Sequence, residues 1–335
     1  MKPILISGVQ PTGKLHIGNY LGALKNFVAL QNLPAGKAGS GKYECYFFIA
    51  DLHSLTEDFS PKEKPRQVAN LVLDFLAAGI NPQKSTIFIQ SQIPAHSELA
   101  WILNTIAPMG ELSRMTQFKE KSENHKQNIN IGLFDYPVLQ AADILLYDAT
   151  VVPVGEDQVQ HLEFTRTLAR KFNARFGKVF IEPKPLLTDV PRLMSLDNPT
   201  KKMSKSRLAG CLFLDDSAKA IREKIKRAVT DSGREVKYDP KHKPAISNLM
   251  KIYEAMGEKT IKEIETKFKN KGYGEFKNDL AEVVIKYLAP FQKKKKQLSR
   301  EHSKIKSILV RGNKKASQKA EKKIKEIKNK IGLTV

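Results

Sequence analysis

KPILISGVQPTGKLHIGN, residues 2–19, predicts a buried strand, a tight turn and the start of a helix. The apolar run 2–7 is typical of a buried strand, and Gly8, Pro11 and Gly13 mark the turn that follows it. Apolar residues at 17, 21, 24 and 28 then repeat at nearly helical spacing. A helix N-terminus behind a parallel strand offers free N–H groups and positive dipole charge, which suit a phosphate. The stretch therefore indicates either a phosphate site or an ordinary strand–turn–helix.

A second string, KKMSKS at 201–206, predicts the opposite side of such a site. Lysines and serines alternate here in a loop that is too polar for a core. Taken alone, the loop is equally typical of a surface charge cluster. Combined with the first string, it predicts ATP bound from two sides, with the α-phosphate attacked and lysines holding the pyrophosphate that leaves.

A P-loop is a weaker interpretation of the first string. The segment 8–14 fits the pattern G-x-x-x-x-G-K, but the next position is Leu15, where a P-loop needs Ser or Thr to bind magnesium. Pro11 also lacks one of the N–H groups that would surround a phosphate. Both substitutions disfavour a P-loop.

Together, the two strings resemble the signature of class I aminoacyl-tRNA synthetases. The segment 12–19 stands where that class has its HIGH motif, with Asn19 as the last position, and 202–206 equals the KMSKS motif. Further segments, at 7–13, 50–56, 114–119, 135–147 and 154–161, resemble the bacterial and organellar tryptophanyl-tRNA synthetases. The similarity extends from about residue 2 to about residue 290, and the family is known as a homodimer that charges tRNA(Trp).

Two alternatives stay open at this level. Tyr136, Gln140 and Asp143 are spaced i, i+4, i+7 and share one helix face, a pattern that tyrosine enzymes also have. Many bacterial tryptophan enzymes carry Met where this chain has Gln140. A tyrosine–tRNA ligase is therefore the first alternative, and a catalytically silent, synthetase-like RNA-binding protein is the second. We expect Asp143 to be buried and to accept the indole N–H, because an ionised carboxylate in an apolar pocket needs a hydrogen-bond donor.

The order of the segments predicts an α/β fold. Strands at 43–50, 86–90 and 151–154 alternate with helices at 17–31, 65–78 and 157–172, which is typical of a parallel sheet. Helical stretches at 95–118 and 136–147 are inserted, and 33–42 is an insertion without an assigned role. The resemblance implies a Rossmann-like catalytic domain over 1–214 and an all-helical, tRNA anticodon-binding domain over 215–335.

The resemblance also implies roles for individual residues. The catalytic group comprises His16, Asn19, Lys202 and Lys205. ATP binding is expected from Gln10, Pro11, Thr12, Gly18, Asn19, Gly155, Glu156, Asp157, Arg192, Met194, Lys202, Met203, Ser204, Lys205 and Ser206. Tryptophan binding is expected from Ile6, Gly8, His53, Tyr136, Gln140, Asp143 and Gln158. Mg²⁺ is expected to arrive with ATP, and no protein metal site is expected.

Composition limits the binding partners and the cellular location that we expect for the protein. The net charge is +22, and residues 291–335 hold 16 Lys/Arg against three Asp/Glu, which predicts contact with RNA phosphates or a solvated basic tail. Cys45 and Cys211 are far apart and form no zinc or disulfide pattern. No apolar stretch is long enough to be a signal peptide or to span a membrane. These features predict a cytoplasmic protein without a membrane segment.

Overall fold

A five-stranded parallel sheet forms the centre of the N-terminal part, with strand order β3-β2-β1-β4-β5. The computed structural model describes residues 2–34, 41–117, 129–187, 192–205 and 207–334. Its strands are β1 Ile4–Val9, β2 Glu44–Ile49, β3 Ser85–Ile89, β4 Val151–Val154 and β5 Lys184–Leu187. The chain runs outward from β1 to β2 and β3, and then crosses to the other side of β1 for β4 and β5. The carboxyl ends of β1 and β4 therefore flank a topological switch point, where open α/β sheets bind ligands.

The predicted α/β class and parallel sheet are confirmed, with limited errors at the boundaries. The first strand begins at Ile4 and ends at Val9, two residues beyond the predicted run. Strand β5 was not predicted, because Lys184–Leu187 is short, contains a proline and lies at an exposed edge. Of the predicted insertion at 33–42, residues 35–40 lie outside the described residues.

Helices cover both faces of the sheet and make up the described elements after Asp215. Their bounds are α1 Ile17–Asn19, α2 Lys25–Asn32, α3 Lys64–Ala78, α4 Ala95–Asn104, α5 Met109–Ser113, α6 Ile131–Leu145, α7 Val159–Phe176, α8 Ala218–Arg227, α9 Pro244–Gly257, α10 Ile261–Lys267, α11 Tyr273–Leu298 and α12 His302–Ile331. A π-helical turn, Tyr20–Leu24, joins α1 to α2. Short 3₁₀ turns lie at His53–Thr56, Gln90–Gln92, Glu156–Gln158 and Leu208–Gly210.

Local sequence explains where the predicted helices differ from the observed ones. The helical stretch predicted at 95–118 contains two helices, because α4 ends at Asn104 and α5 begins after the extended Pro108. Phe118 and Lys119 lie outside the described residues. Helix α6 begins at Ile131, five residues before the predicted start, because the Asn130 side chain accepts a hydrogen bond from the Leu133 N–H and caps the helix.

The last helix, α12, returns to the parallel sheet and covers its edge strand β3. The Asn313 side chain accepts a hydrogen bond from the Ile89 N–H at 3.0 Å, so a side chain takes the place of a neighbouring strand. At Gly312 the two backbones are so close that a Cβ atom would overlap the Ile87 carbonyl oxygen. Ala316 and Ala320 are fully buried against the same region. Among the described helices, none is long and apolar enough to cross a membrane.

Candidate functional site

A cavity of about 240 Å³ opens at the carboxyl ends of β1 and β4. It is smaller than the ~300–1,000 Å³ of pockets for drug-sized ligands, so it suits a small molecule. The residues predicted to bind the amino acid all line it, namely Ile6, Gly8, His53, Tyr136, Gln140, Asp143 and Gln158. Gln10, predicted for the nucleotide, is also in the wall. The structure thus brings together residues that lie up to 152 positions apart in the chain.

Some lining residues carried no distinctive sequence signal. Phe48 forms part of the wall, and a Cβ atom on Gly8 would stand 2.5 Å from its ring, so the position requires glycine. Gln117 accepts a hydrogen bond from the Tyr136 hydroxyl at 3.1 Å and donates to the Asp157 carbonyl at 3.0 Å. The Tyr136 hydroxyl also lies 2.8 Å from His161 Nε2. The segment 114–119 pointed to this region without singling out Gln117.

Asp143 is the charged residue at the base of this cavity. Its carboxylate is 1% exposed, and His53 and His96 contact its two oxygens at 2.7 and 2.6 Å. Gln90 donates a third hydrogen bond at 2.8 Å. Burial alone would raise the pKa of Asp143, but its electrostatic interactions and hydrogen bonds with His53 and His96 outweigh burial and hold the pKa below its usual value. The expected burial is observed, yet the protein itself supplies three hydrogen-bond partners.

His16 caps the helix that begins behind the turn of the first string. Its Nδ1 accepts hydrogen bonds from the N–H groups of Gly18 and Asn19 at 3.1 and 3.3 Å, and the Asn19 side chain accepts from the His16 N–H. Burial, followed by the positive charges of Lys205 and Lys202, lowers the pKa of His16 to about 4. The imidazole is therefore neutral near pH 7, and its proton resides on Nε2 as a hydrogen-bond donor.

The two strings meet in space. Lys205 Nζ donates to the hydroxyl of Thr12 at 3.1 Å, although the two residues are 193 positions apart. Behind this contact, the Ile17 N–H donates to the Leu212 carbonyl and the Leu214 N–H donates to the Leu15 carbonyl, both at 2.9 Å. Burial lowers the pKa of Lys205 to about 8, although the charge of Asp74 opposes the shift. With a pKa of about 8, Lys205 is still mainly cationic at pH 7 despite its desolvation.

The remaining residues predicted to bind the nucleotide lie on other segments. Gly155, Glu156 and Asp157 follow β4 directly. Met194 pairs with Lys202 in an isolated bridge, and Asn248 of α9 clamps Met194 by two hydrogen bonds, at 2.8 and 2.9 Å. Lys202 and Arg192 are exposed, Met203 is buried and Ser204 is half-buried, whereas Ser206 lies outside the described residues.

An ion-pair cluster joins the C-terminal helices to the catalytic part. Lys295 of α11 contacts Asp74 of α3 at 2.5 Å and Asp215 at 2.7 Å. Although burial lowers it, the pKa of Lys295 is raised overall because the two carboxylates outweigh desolvation. Lys295 therefore acts as a structural cation, although its sequence context, four consecutive lysines, is typical of a solvated face.

Within the described residues, no cluster of three or more His, Cys, Asp or Glu side chains could hold a metal ion. Apart from Asp74, the side chains described at the junction of the two strings, those of Thr12, His16, Lys202 and Lys205, are basic or neutral. They therefore fit a ligand that brings its own negative charge.

Comparison with known proteins gives a consistent result. A family model described as tRNA synthetases class I (W and Y) matches residues 1–289. The tryptophan–tRNA ligase of Caldanaerobacter subterraneus subsp. tengcongensis is 47% identical over 332 residues, which covers 98% of each chain. The solved tryptophanyl-tRNA synthetase of Mycoplasma pneumoniae is 35% identical, with a TM-score of 0.87, and the match covers 100% of this chain and 99% of the other.

A second solved structure, the Campylobacter jejuni tryptophanyl-tRNA synthetase complexed with ADP and tryptophan, is 36% identical with a TM-score of 0.82. That match covers 98% of this chain and 99% of the other. A tyrosyl-tRNA synthetase from Aeropyrum pernix is 18% identical and shares the fold alone. The full-length similarity is therefore to the tryptophan branch.

The depressed pKa of His16 predicts a pH-dependent contribution to stability. A group whose folded pKa is about 4 and whose unfolded pKa is about 6.5 stabilises the fold fully above pH 6.5, and this contribution is lost as the pH falls towards 4. His16→Asn keeps a helix cap and removes the titration. From pH 7 to pH 4, we expect the difference in unfolding free energy, wild type minus His16→Asn, to fall by about 3 kcal/mol.

Urea denaturation of both proteins at several pH values measures this difference. Carboxylates that titrate in both proteins cancel in the comparison. A difference that stays constant from pH 7 to pH 4 would contradict a neutral, buried His16.

Proposed function

The chain belongs to the class I aminoacyl-tRNA synthetases for tryptophan and tyrosine, and we propose that the residues assembled at its sheet edge divide the work of a tryptophan–tRNA ligase. Its activity is that of a tryptophan–tRNA ligase: tryptophan and ATP give tryptophanyl-adenylate and diphosphate, and the tryptophan is then transferred to tRNA(Trp). The observation that carries the division of labour is the contact of Lys205 with Thr12, which joins the two strings at one point.

In this proposal, the cavity holds tryptophan and the junction of the two strings holds ATP. The substrate carboxylate attacks the α-phosphate, so the protein needs no nucleophile of its own and contributes positioning and charge. The neutral His16 donates a hydrogen bond from Nε2–H to a phosphate oxygen, because its Nδ1 already accepts the hydrogen bonds of the helix cap. Lys202 and Lys205 stabilise the negative charge that develops on the departing diphosphate.

The nucleotide is proposed to bring Mg²⁺ with it, since Mg²⁺ is commonly bound through substrate phosphates. Asn19, Gly18 and the 10–12 turn lie beside the proposed phosphate position, and Gly155 to Asp157 lie on the β4 side. Arg192, Met194 and Ser204 complete the proposed nucleotide set. Asp143 is proposed to receive the indole N–H, with Tyr136, Gln140 and Gln158 around the ring.

Diphosphate exchange tests this function and the role of Lys205 together. We expect exchange with tryptophan and almost none with tyrosine. Lys205→Ala should slow adenylate formation by roughly 10²–10³ with nearly unchanged tryptophan binding, because charge develops on the diphosphate as the bond breaks. Lys219→Ala, which removes an exposed lysine of α8, is the matched control and should behave as wild type.

The pKa of Lys205 adds a pH dependence. Because its pKa is about 8, the cation is lost as the pH rises through this value, and kcat/KM for ATP should fall above pH 8. In Lys205→Arg the guanidinium stays charged, so any remaining activity should persist to higher pH. Efficient exchange with tyrosine, or an unaltered single-turnover rate in Lys205→Ala, would refute the proposed roles.

The helices over 215–335 are proposed to bind tRNA through their exposed cations. Lys293, Lys294 and Lys296 project from α11 into solvent, whereas Lys295 is held by Asp74 and Asp215. A substitution of all four lysines would therefore disturb the fold as well as the charge. The informative variant changes the three exposed lysines and leaves Lys295 in place.

The triple variant Lys293→Gln, Lys294→Gln, Lys296→Gln should weaken tRNA binding and leave diphosphate exchange intact. Each lost phosphate contact lowers the slope of log K against log salt by about 0.7–0.9, so three contacts would lower it by about 2–3. The control, Lys62→Gln, Lys171→Gln, Lys178→Gln, removes the same charge from exposed positions of the catalytic part. Filter binding across a salt series measures both, and equal slopes would exclude the α11 lysines as phosphate contacts.

The homodimer is proposed on an apolar surface formed by α4, α5 and α6, in which α4 and α5 each pack against α6. Trp101 is 72% exposed, Met109 70% and Ile131 79%. Exposed apolar side chains on adjoining elements are typical of an interface between protein chains. A second copy of this chain is the occupant we propose. The cytoplasmic location, predicted from the sequence, is part of the same proposal.

Trp101 is the one tryptophan of the sequence and reports on this surface directly. We expect sedimentation of a dimer, and a blue shift of Trp101 fluorescence as the protein concentration rises through the dissociation constant. Trp101→Glu should sediment as a monomer, because a charge would be buried. Val310→Glu, at an exposed apolar position of α12, should stay dimeric. A monomeric wild type, or a dimeric Trp101→Glu, would rule out this interface.

A further inference from the structure

Three elements aim a hydrogen-bond donor at the Asp143 carboxylate. His53 follows β2, Gln90 follows β3, and His96 lies in the first turn of α4. His96 and Gln90 both contact Oδ1, at 2.6 and 2.8 Å, and His53 contacts Oδ2 at 2.7 Å. His96, Gln90 and Asp143 are each no more than 1% exposed. His96 and Gln90 do not line the cavity, whereas Asp143 and His53 do.

The protons of this network can be assigned from its outer partners. The Gln90 carbonyl accepts the Leu52 N–H at 3.1 Å, which turns the Gln90 amide nitrogen towards Asp143. Tyr147 is fully buried, so burial raises its pKa and its hydroxyl keeps the proton. That hydroxyl lies 2.9 Å from His96 Nε2. The Asp143 carboxylate can only accept, so His96 carries a proton on Nδ1, facing Asp143, and a neutral His96 accepts the Tyr147 O–H through Nε2.

This assignment distributes the acceptor capacity of the carboxylate unequally. Oδ1 receives two protein donors, from His96 and Gln90, and both of its in-plane acceptor positions are used. Oδ2 receives one, from His53, and retains a second acceptor position. Of these groups, Asp143 and His53 line the cavity, so the spare position belongs to a carboxylate that a bound ligand can reach.

We propose that His96, oriented by Tyr147, is a positioning residue that fixes the Asp143 carboxylate so that the pocket selects an aromatic ring bearing an N–H. Without His96, Oδ1 loses one of its two donors and the carboxylate can rotate. Oδ2 then no longer holds its second acceptor position towards the ligand. His96 does not touch the substrate and acts through Asp143. This inference rests on the proposed function and concerns how the same site distinguishes its substrate.

The experiment compares tryptophan with 3-(benzothiophen-3-yl)alanine, in which sulfur replaces the indole N–H at nearly the same size. Diphosphate exchange with the full chain gives kcat/KM for each compound. The ratio measures the contribution of the N–H, because a site built to bind an N–H discriminates against an analogue that lacks it. A purely structural defect lowers both values in parallel and leaves the ratio unchanged.

In His96→Phe we expect the ratio to fall roughly 10- to 100-fold, with the loss concentrated on tryptophan, as is typical when a hydrogen bond to a charged group is removed. His96→Asn places an amide N–H near the Nδ1 position and should keep the ratio within a few-fold of wild type. Tyr147→Phe removes the outer hydroxyl alone and should lower the ratio less than His96→Phe does.

Phe88→Leu is the matched packing control, because the Phe88 ring lies 6.0 Å from the His96 ring and offers no hydrogen-bonding group. Phe88→Leu should lower kcat/KM for tryptophan and for the analogue by the same factor. Tyr147→Phe is nearly isosteric, so it keeps the test decisive if His96→Phe fails to fold. An unchanged ratio in the folded His96 and Tyr147 variants, or an equal collapse in His96→Asn and His96→Phe, would overturn the inference.

The failure of this inference is distinct from failure of the proposed function. If wild type shows no exchange with tryptophan, the function itself is wrong. If wild type is active and discriminates, but the His96 and Tyr147 variants keep its ratio, Asp143 is positioned without help from His96.

Discussion

Main-chain pairing between 15–17 and 212–214 is the constraint on which the catalytic arrangement depends. Two backbone hydrogen bonds of 2.9 Å join the start of α1 to the segment just after the second string. Backbone groups in a buried setting must find partners, so this pairing fixes the separation of the two strings independently of their side chains. The Lys205–Thr12 contact forms in front of it. The side chains at the junction of the two strings can therefore change their charge state without losing their positions.

Three basic groups lie close together at the junction of the two strings, and the fold limits their mutual repulsion by keeping one of them neutral. His16 lies near Lys202 and Lys205, and its Nδ1 is occupied by the cap of α1, so the imidazole stays uncharged and serves as a donor through Nε2. Lys205 pays a desolvation cost that shifts its pKa to about 8. A negatively charged nucleotide would relieve that cost, so binding is coupled to the charge of the lysine. The arrangement of charges at the junction of the two strings therefore favours an anion.

The site residues that could be predicted from the sequence lie close together in the chain or belong to the two strings. The alternation of strands and helices predicted the parallel sheet, and the i, i+4, i+7 spacing of Tyr136, Gln140 and Asp143 placed them on one face of α6. The partners of Asp143 were not accessible in this way. His96 and Gln90 lie 47 and 53 positions away and belong to no periodic pattern. Only the tertiary fold brings them to Asp143. The sequence therefore predicted the indole N–H of the ligand as the hydrogen-bond donor to the buried carboxylate and did not predict these protein donors.

The C-terminal helices show how composition can overstate the positive charge that a surface exposes. The lysine-rich end implied a uniformly solvated or RNA-binding surface, but Lys295 binds Asp74 and Asp215, Lys315 binds Glu44, and Lys323 is 6% exposed and contacts Asp148 at 2.6 Å. These cations hold α11 and α12 against the N-terminal part. Lys295 and Lys323 are largely buried, so loss of a carboxylate partner would be most costly at these two lysines. Charge available to a nucleic acid is therefore smaller than the formal charge of this region. Because α12 also covers the edge of β3, the same helix shields the sheet, while other lysines of α12, including Lys306, Lys314, Lys322 and Lys325, are exposed to solvent.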